Sequence, residues 1–393
     1  MNVPKLRFKE FNNEWKNTSL NKIVNFSKGN LLSKADLEEE GLYPCILYGQ
    51  LYTKYSEVIR EVYSKTNRND KNLIMSKYGD VLIPSSGETP IDISTASCIM
   101  LDNILLGGDI NILSPNNCDG RFLSYMINNN KRKEIAKVAQ GHSVVHLYND
   151  NLRKINVNIP SLAEQNKISN ILELLDKKIE LQTKKIEDLK LFKKGLLYSI
   201  FNKKKTNTNI ENCIDYGKAG GTPLSSNKDY YDGNIPFLSI SDITNQGKYI
   251  FSTEKMISQK GLDNSSAWLI PKNSLILSMY ASYGLVAINK IELSTSQAMF
   301  NMIINKSNNV EYIYYYLEYL YQNNYYDRLV STGTQSNLNA DKVKKIKIYL
   351  PNIEEQNALS KIFICLDKKI NFESNKLNKL IKLKKGLIQN MFV

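Results

Sequence analysis

The chain has 393 residues, which is too long for one typical domain and predicts at least two, each able to bury its own core. Apolar residues make up 42% of the sequence, which excludes a disordered chain. The net charge of +13 favours a polyanionic partner, nucleic acid more often than an anionic membrane, although a lysine- and asparagine-rich proteome would also produce it.

The sequence lacks several common signals. No stretch reaches the roughly 20 continuous apolar residues of a membrane-spanning helix, and the first residues have no apolar signal core, so we expect a cytoplasmic protein. The five cysteines are widely spaced without a CxxC pair, which favours reduced thiols over disulfides or a zinc cluster. His142 and His146 have the spacing of metal ligands on a helix, but no third ligand accompanies them, so we predict no metal site.

Residues 1–158 form the first predicted domain. Short apolar runs at 81–83, 104–106 and 110–113 are typical of buried strands, and residues 120–138 have the pattern of an amphipathic helix. Strands and helices do not alternate strictly, which favours a mixed α/β domain over a doubly wound sheet.

Residues 159–203 predict one long helix. It begins after Pro160, has Glu164 in its first turn and contains no later proline. Its apolar residues alternate at spacings of three and four, the heptad pattern of a helix that buries one face against another helix. Gly195 weakens the helix by about 1 kcal/mol, so we expect a kink or an end there.

Residues 204–349 form the second predicted domain, and residues 350–393 form a second long helix. A polar linker at 202–209 precedes apolar runs at 235–238, 274–277 and 299–304 and a candidate helix at 309–327. Tyr314, Tyr315 and Tyr316 on that helix are predicted to pack rather than to stack on bases.

The two long helices are copies of one another. Residues 160–201 align with residues 351–392 without a gap, and nearly half of the aligned positions are identical. The domains between them are only faintly alike, for example around Lys28 and Lys218. This predicts a mixed α/β fold with a pseudo-two-fold internal duplication, in which two long antiparallel coiled-coil helices separate two domains.

Polar residues interrupt the two apolar seams at equivalent places, at Gln182 and Lys193 and again at Glu373 and Lys384. One antiparallel register places Gln182 opposite Lys384 and Lys193 opposite Glu373. Buried polar pairs of this kind commonly fix the register of a coiled coil. The alternative is that each helix packs only on its own domain.

The order of several motifs resembles the specificity subunits of Type I restriction–modification systems. The resemblance covers essentially the whole chain, although the first half departs from it at Gly141-His142-Ser143, where the Thr-Gln pattern is missing. The motifs are Pro4-Lys5-Leu6-Arg7-Phe8 with Trp15, Pro160 with Glu164-Gln165, Gly220-Gly221-Thr222-Pro223 with Ile235-Pro236-Phe237, Gly333-Thr334-Gln335-Ser336-Asn337-Leu338, and Leu350-Pro351 with Glu355-Gln356.

This resemblance implies a DNA-binding, non-catalytic subunit. In such proteins each target recognition domain, here 1–158 and 204–349, reads one half of a bipartite site, and the spacer helices, here 159–203 and 350–393, set the gap. Two methyltransferase subunits and the restriction (motor) subunits are the implied partners, and S-adenosylmethionine and ATP bind to them, so this chain is expected to hold no cofactor. The absence of an Asn-Pro-Pro-aromatic motif, a GxGxxG motif and a GxxxxGK[ST] loop agrees with that role.

The candidate DNA-binding residues lie in predicted loops rich in glycine, serine, lysine, tyrosine and amide side chains. Such polar side chains contact phosphates and base edges. Several of these residue types are also common in ordinary turns. They are Lys28, Tyr48, Gln50, Ser85, Ser86, Glu88 and His142 in the first domain, and Lys218, Thr222, Ser278, Tyr280, Tyr283, Thr334, Gln335 and Asn337 in the second. Three alternatives stay open: a specificity subunit of a restriction–methylation enzyme outside Type I, a coiled-coil scaffold for proteins, and an undetected nuclease.

Overall fold

The computed structural model describes residues 3–141, 144–280, 282–330 and 338–393. The chain divides into two compact units: unit 1 comprises Met1–Thr183 and Asn375–Val393, and unit 2 comprises Lys184–Ser374. Each long helix is therefore shared between the two units. Within the residues that the structure describes, no helix has the length and apolar character needed to cross a membrane.

Unit 1 contains a mixed α/β domain, the first part of one long helix and the last part of the other. Its strands are β1 (Lys16–Ser19), β2 (Val24–Lys28), β3 (Tyr43–Ile46), β4 (Val58–Ile59), β5 (Ser64–Thr66), β6 (Ile74–Met75), β7 (Val81–Pro84), β8 (Ser86–Gly87), β9 (Ser97–Ile99), β10 (Leu105–Leu106), β11 (Ile110–Pro115), β12 (Val145–His146) and β13 (Asn156–Ile159). Its helices are α1 (Gln50–Thr53), α2 (Gly120–Met126), α3 (Arg132–Val138) and α4 (Asn149–Arg153), and the long helix that begins in this unit is α5 (Leu162–Phe201).

Unit 2 also contains a mixed α/β domain and parts of both long helices. Its strands are β14 (Thr208–Asn209), β15 (Ile214–Ala219), β16 (Ile235–Leu238), β17 (Tyr249–Ile250), β18 (Lys255–Ile257), β19 (Leu275–Ser278), β20 (Val286–Asn289), β21 (Ser294–Thr295), β22 (Met299–Ile304) and β23 (Lys347–Ile348). Its helices are α6 (Ile240–Gln246), α7 (Gln259–Asp263), α8 (Val310–Gln322) and α9 (Ala340–Lys344), and the second long helix is α10 (Ile353–Met391).

The two domains share one sheet topology. The five-stranded sheet has the order β2-β11-β7-β9-β4 in unit 1 and β15-β22-β19-β20-β17 in unit 2. In both sheets the last strand is parallel to its neighbour and the other pairs are antiparallel. Each unit also has a smaller sheet, with the order β5-β3-β10-β6 in unit 1 and β18-β16-β21 in unit 2. The strands of the smaller sheet precede β11 or β22 in the sequence. The duplication thus includes the domains, and the predicted mixed α/β fold is confirmed.

Each five-stranded sheet is covered on both faces, because alternate residues of a strand point to opposite faces. Val81 and Ile83 belong to a core with α2 and both long helices, whereas Leu82 belongs to a second core with α1. In unit 2, Leu275 and Ile276 divide between two cores in the same way. Burial on both faces explains why these strands appear in the sequence as continuous apolar runs.

The predicted domain helices are confirmed with one irregularity each. Residues 120–138 are helical throughout, but a π-helical turn at Ile127–Lys131 joins α2 to α3. In unit 2, α8 ends at Gln322 and a 3-10 turn follows at Tyr325–Arg328. Three consecutive tyrosines of α8 are buried, so the prediction that they pack in the core is also confirmed: Tyr314, Tyr315 and Tyr316.

The long helices run antiparallel. In unit 1, Ile168 near the start of α5 shares a core with Ile388 near the end of α10. In unit 2, Leu197 near the end of α5 shares a core with Phe363 near the start of α10. Both cores also contain many residues of the adjoining domain, so each helix packs on its partner helix and on a domain at once.

The predicted charge pairing across the helices is wrong. Lys193 Nζ lies 2.7 Å from Asp367 Oδ1 and 2.9 Å from Glu318 Oε2, instead of meeting Glu373. Lys384 Nζ lies 2.6 Å from Asp176 Oδ1 and 3.2 Å from Glu57 Oε2, instead of meeting Gln182.

The buried Glu373 carboxylate meets Lys185 from the other helix and Lys369 from its own. Each seam lysine therefore meets an aspartate that lies six positions before its predicted partner. The prediction failed because an apolar heptad pattern does not include the domain carboxylates that also face these lysines.

Each lysine belongs to a buried network that joins three elements. In unit 1, Tyr125 on α2 donates a 2.5 Å hydrogen bond to Asp176 Oδ2, and Lys384 lies over the Tyr125 ring. Tyr315 on α8 donates a 2.6 Å bond to Asp367 Oδ2 in unit 2, and Lys193 lies over its ring. Burial raises the pKa of Asp176, and the Lys384 charge opposes that shift.

The two helices do not end at their glycines. α5 continues past Gly195 to Phe201, and α10 continues past Gly386 to Met391. Leu197 and Ile388 beyond the glycines are buried in the two cores, and this packing offsets the poor helix propensity of glycine.

Gly195→Ala and Gly386→Ala should each raise the free energy of unfolding by about 0.5–1 kcal/mol, because alanine is the better helix former. A Cβ at either position would meet no atom within 4 Å. Urea denaturation measures the change. Gly29→Ala is the control and should destabilise, since its Cβ would lie 2.1 Å from the Gly107 carbonyl oxygen. A loss of stability in the helix variants would contradict this placement.

Lys193→Met should lower the free energy of unfolding by about 3 kcal/mol, because it leaves carboxylates buried without their cation. The Lys193 and Asp367 side chains are only 11% and 22% exposed. Lys260→Met breaks a surface pair whose side chains are 64% and 71% exposed, and should change stability by less than about 0.5 kcal/mol. Equal effects of the two substitutions in urea denaturation would refute the role of the network.

Candidate nucleic-acid interface

One end of each five-stranded sheet is attached to a long helix. In unit 1 the chain leaves β11 and reaches Asp119, whose backbone N–H donates a 2.9 Å hydrogen bond to Gln165 Oε1 on α5. In unit 2 it leaves β22 and reaches Asn309, whose N–H donates an equal bond to Gln356 Oε1 on α10. The repeated Glu-Gln element of the sequence thus anchors the N-terminus of a domain helix in both units.

The other end of each sheet carries the predicted binding loops. β11 and β22 have six residues each, so this end lies roughly 20 Å from the anchored one. In unit 1 the N–H of Gly29, which follows Lys28, bonds to the Ile110 carbonyl, and the Ser85 N–H bonds to the Asp109 carbonyl. The loops after β2, after β7 and before β11 therefore meet, and this group of loops is called the reading end.

Unit 2 has the same reading end. The Gly220 N–H bonds to the Met299 carbonyl, and the Met279 N–H bonds to the Ala298 carbonyl. The loops after β15, after β19 and before β22 therefore meet as their counterparts do in unit 1. Lys218 on β15 lies two residues before Gly220, whereas Lys28 on β2 lies one residue before Gly29, and each lysine pairs with an asparagine of the neighbouring strand.

A further segment enters each reading end from the region after the domain helix. Leu147 donates its N–H to the Ser85 carbonyl in unit 1, and Leu338 donates to the Met279 carbonyl in unit 2. Four predicted residues lie outside the described residues: His142, Thr334, Gln335 and Asn337. His146, which follows in unit 1, stacks on the exposed Tyr148.

Some of the predicted residues are at the surface of the reading ends. Lys28 is exposed, and its ammonium lies 3.4 Å from Asp109 Oδ1. Lys218 is exposed and has no ion pair among the residues that the structure describes. Glu88, Thr222 and Tyr280 are also exposed, whereas Tyr48 and Tyr283 are half-buried.

Four other predicted residues are buried: Gln50, Ser85, Ser86 and Ser278. Gln50 accepts a hydrogen bond from the Leu47 N–H and donates to Ser64 Oγ. Ser278 Oγ accepts from the Leu285 N–H and donates to the Ser282 carbonyl. Gln50 and Ser278 hold their loops in shape, and the burial of all four side chains argues against the predicted DNA contact.

Tyr52 was not among the predicted residues, although Tyr48 and Glu88 are near enough to affect its pKa. Its hydroxyl is close to Gly49 and Gly87, and burial is the main cause of its raised pKa, with smaller effects from Tyr48 and Glu88. A tyrosine four residues after Tyr48 on a short helix was the available signal, but α1 was not predicted.

Tyr283 is oriented by a carboxylate. Its hydroxyl donates a 2.7 Å hydrogen bond to Asp327 Oδ1, and this bond raises the pKa of Tyr283. The two side chains line an open cavity of about 450 Å³ together with Tyr321 and Tyr326.

Gln297 and Asp109 were also missed. Both belong to the turns that precede the long strands, and Thr222 donates its hydroxyl hydrogen to Gln297 Oε1. In the described part of the chain, no group of three histidine, cysteine, aspartate or glutamate residues could hold a metal ion.

Two mixed α/β domains of one topology, each packed on parts of the same two long helices and each with its own loops at the free sheet end, define an internally duplicated α/β protein. The chain belongs to the family of the Type I restriction modification DNA specificity domain, whose model matches residues 12–191 and 202–382.

Curated relatives carry specificity-subunit names. The MjaIX specificity subunit of Methanocaldococcus jannaschii is 28% identical over 187 residues, which are 47% of this chain and 43% of that protein. The HindI specificity subunit of Haemophilus influenzae is 33% identical over 136 residues, 34% of this chain and 29% of that one. The chain thus spans less than half the length of these two relatives.

Solved structures share the fold. The S subunit of the Type I restriction-modification system from M. genitalium has a TM-score of 0.66 at 16% identity and matches 100% of this chain and 99% of that one. A chain from a structure described as a type I R-M system in complex assembly has a TM-score of 0.59 at 14% identity, with 98% of each chain covered.

Proposed function

We propose that this chain is the sequence-specific DNA-binding subunit of a Type I restriction–modification complex and that it has no catalytic centre of its own. The observation that carries this proposal is the pair of reading ends. Three backbone hydrogen bonds of one reading end have equivalents in the other, whereas the exposed side chains differ. Equal platforms with different side chains suit a protein that reads two unlike half-sites, one with each domain.

The exposed residues of the reading ends have the chemistry that DNA contact requires. Lys28 and Lys218 would meet phosphates, and the tyrosine, amide and hydroxyl side chains would meet sugars and base edges. Four residues outside the described ranges stay in this proposal by their place in the sequence: His142, Thr334, Gln335 and Asn337.

Two methyltransferase subunits would dock on the long helices, and restriction subunits would join them. Large apolar side chains are exposed at equivalent positions of both helices, which favours protein partners. Leu181 and Phe372 form one such equivalent pair, 58% and 62% exposed, and Phe192 and Leu383 form another, 58% and 50% exposed. S-adenosylmethionine and ATP would bind to those partners, and this chain would act in the cytoplasm without a cofactor.

A coiled-coil scaffold that binds only proteins is the competing function. It accounts for the exposed apolar residues of the helices, but it gives no role to the two reading ends. DNA binding by the assembled complex decides between the two, because phosphate contacts make the affinity fall steeply as salt rises.

Lys218→Gln should lower the affinity of the assembled complex for its DNA site and reduce the slope of log K against log salt by about one. Fluorescence anisotropy over a series of salt concentrations measures both quantities. Lys306→Gln is the matched control. This exposed lysine follows the anchored end of β22, whereas Lys218 lies near the other end of the same sheet. Equal losses for the two variants, or none for Lys218→Gln, would argue against the reading end as the DNA contact.

Three heptads inserted after Thr183 in α5 and after Ser374 in α10 should lengthen the gap between the half-sites by about nine base pairs. The insertion adds roughly 31 Å to both helices, close to one turn of B-DNA, so both heads keep their phase on the duplex. These two points are equivalent in the repeat, and the units divide there.

Sequencing of the methylated motif measures the gap in this variant. The same insertion in one helix alone is the control, since it breaks the seam and should abolish methylation. An unchanged gap in the doubly inserted variant would show that the helices do not act as the ruler.

A further inference from the structure

The turn that precedes the last long strand has different side chains in the two reading ends. In unit 1 three residues, Gly107-Gly108-Asp109, connect β10 to β11. In unit 2 three residues, Ser296-Gln297-Ala298, connect β21 to β22. The two connections have one length and join equivalent strands, so they correspond residue by residue.

The backbone around these turns is held in the same way in both units. The carbonyls of Asp109 and Ala298 each accept an N–H from the loop after the neighbouring strand, at 2.7 Å in both cases. The next carbonyls along the chain, of Ile110 and Met299, each accept an N–H from a glycine, Gly29 or Gly220. The two turns are therefore held by equivalent backbone bonds, and their tips have different side chains.

The tips present different chemistry. In unit 1 Asp109, with a left-handed φ of 61°, places its carboxylate 3.4 Å from Lys28 Nζ and 3.4 Å from Ser85 Oγ. The corresponding tip of unit 2 has the exposed Gln297, whose Oε1 accepts a hydrogen bond from the Thr222 hydroxyl. This bond fixes the orientation of an amide that would otherwise rotate freely.

Thr222 is itself firmly placed. It follows Gly220 and Gly221, and a Cβ on these glycines would lie 2.2 Å from the Thr295 carbonyl oxygen and 2.3 Å from the Ala267 nitrogen, respectively. The loop thus packs against the chain on both sides at a distance that only glycine permits. A rigid loop that orients an exposed amide reduces the entropy lost when that amide binds.

We propose that Gln297, oriented by Thr222, is a specificity-determining residue that reads the major-groove edge of one adenine in the half-site of unit 2. This inference rests on the proposed function. A bidentate amide contact to adenine needs one carbonyl lone pair and one N–H. The bond from Thr222 occupies one lone pair of Oε1 and leaves the other, with both Nε2 hydrogens, for the base.

The test uses the full chain assembled with its methyltransferase subunits in a host without other methylation. The methylated motif is sequenced, and binding is measured for duplexes altered at each half-site position in turn. Gln297→Ala should make one adenine position in one half-site degenerate, with roughly tenfold loss of discrimination there. Gln297→Glu should move the preference at that position towards cytosine, whose N4 amino group donates to a carboxylate.

Thr222 is a positioning residue in this proposal, so its variants have a separate readout. Thr222→Val should weaken discrimination at that same position with little effect elsewhere, and Thr222→Ser, which keeps the hydroxyl, should restore it. Asp109→Asn is the matched control, since it should leave that half-site unchanged and alter only the other. Thermal unfolding of each variant confirms that the exposed substitutions leave the fold intact.

Three results would overturn the proposal: unchanged specificity in Gln297→Ala, a relaxed position that is not adenine, or a loss spread evenly over all positions. Failure of the proposed function gives a different result, because the unaltered chain would then confer no methylated two-part motif at all.

Discussion

The fold depends on two buried lysine–aspartate pairs that connect the long helices. Lys384 from α10 meets Asp176 of α5, and Lys193 from α5 meets Asp367 of α10. A domain tyrosine donates to each aspartate, so helix, partner helix and domain are bonded in one network. Because an unpaired buried charge is costly, any other register would leave these groups without partners, and the network selects one arrangement of the apolar seam.

The duplicated network gives each unit the same platform. The shared strand order and the anchors Gln165 and Gln356 fix one end of each sheet, and the loops at the other end are free to vary. A substitution at a loop tip changes the side chain that is exposed there without disturbing the core. This separation accounts for a protein in which the two helix copies still align without a gap while the domains have diverged further.

The sequence predicted the long helices well because their heptad pattern and their repetition are properties of the helical segments alone. It could not predict the register, since Glu57, Glu318 and two tyrosines come from the domains and leave no trace in the heptad pattern. Loop composition selected residues in the loops at the free ends of the sheets, but it could not separate the buried Gln50 from the exposed Gln297, because burial depends on contacts distant in sequence. Gly195 misled for a similar reason: core packing outweighs helix propensity.

Methylome sequencing of a host that carries the partner methyltransferase, with and without this chain, tests the central claim most directly. If two unlike heads read one DNA molecule, methylation should appear only with the chain and at a motif of two different specified parts, separated by a constant unspecified gap. A motif that is contiguous, or one that is the same in the absence of the chain, would contradict the account.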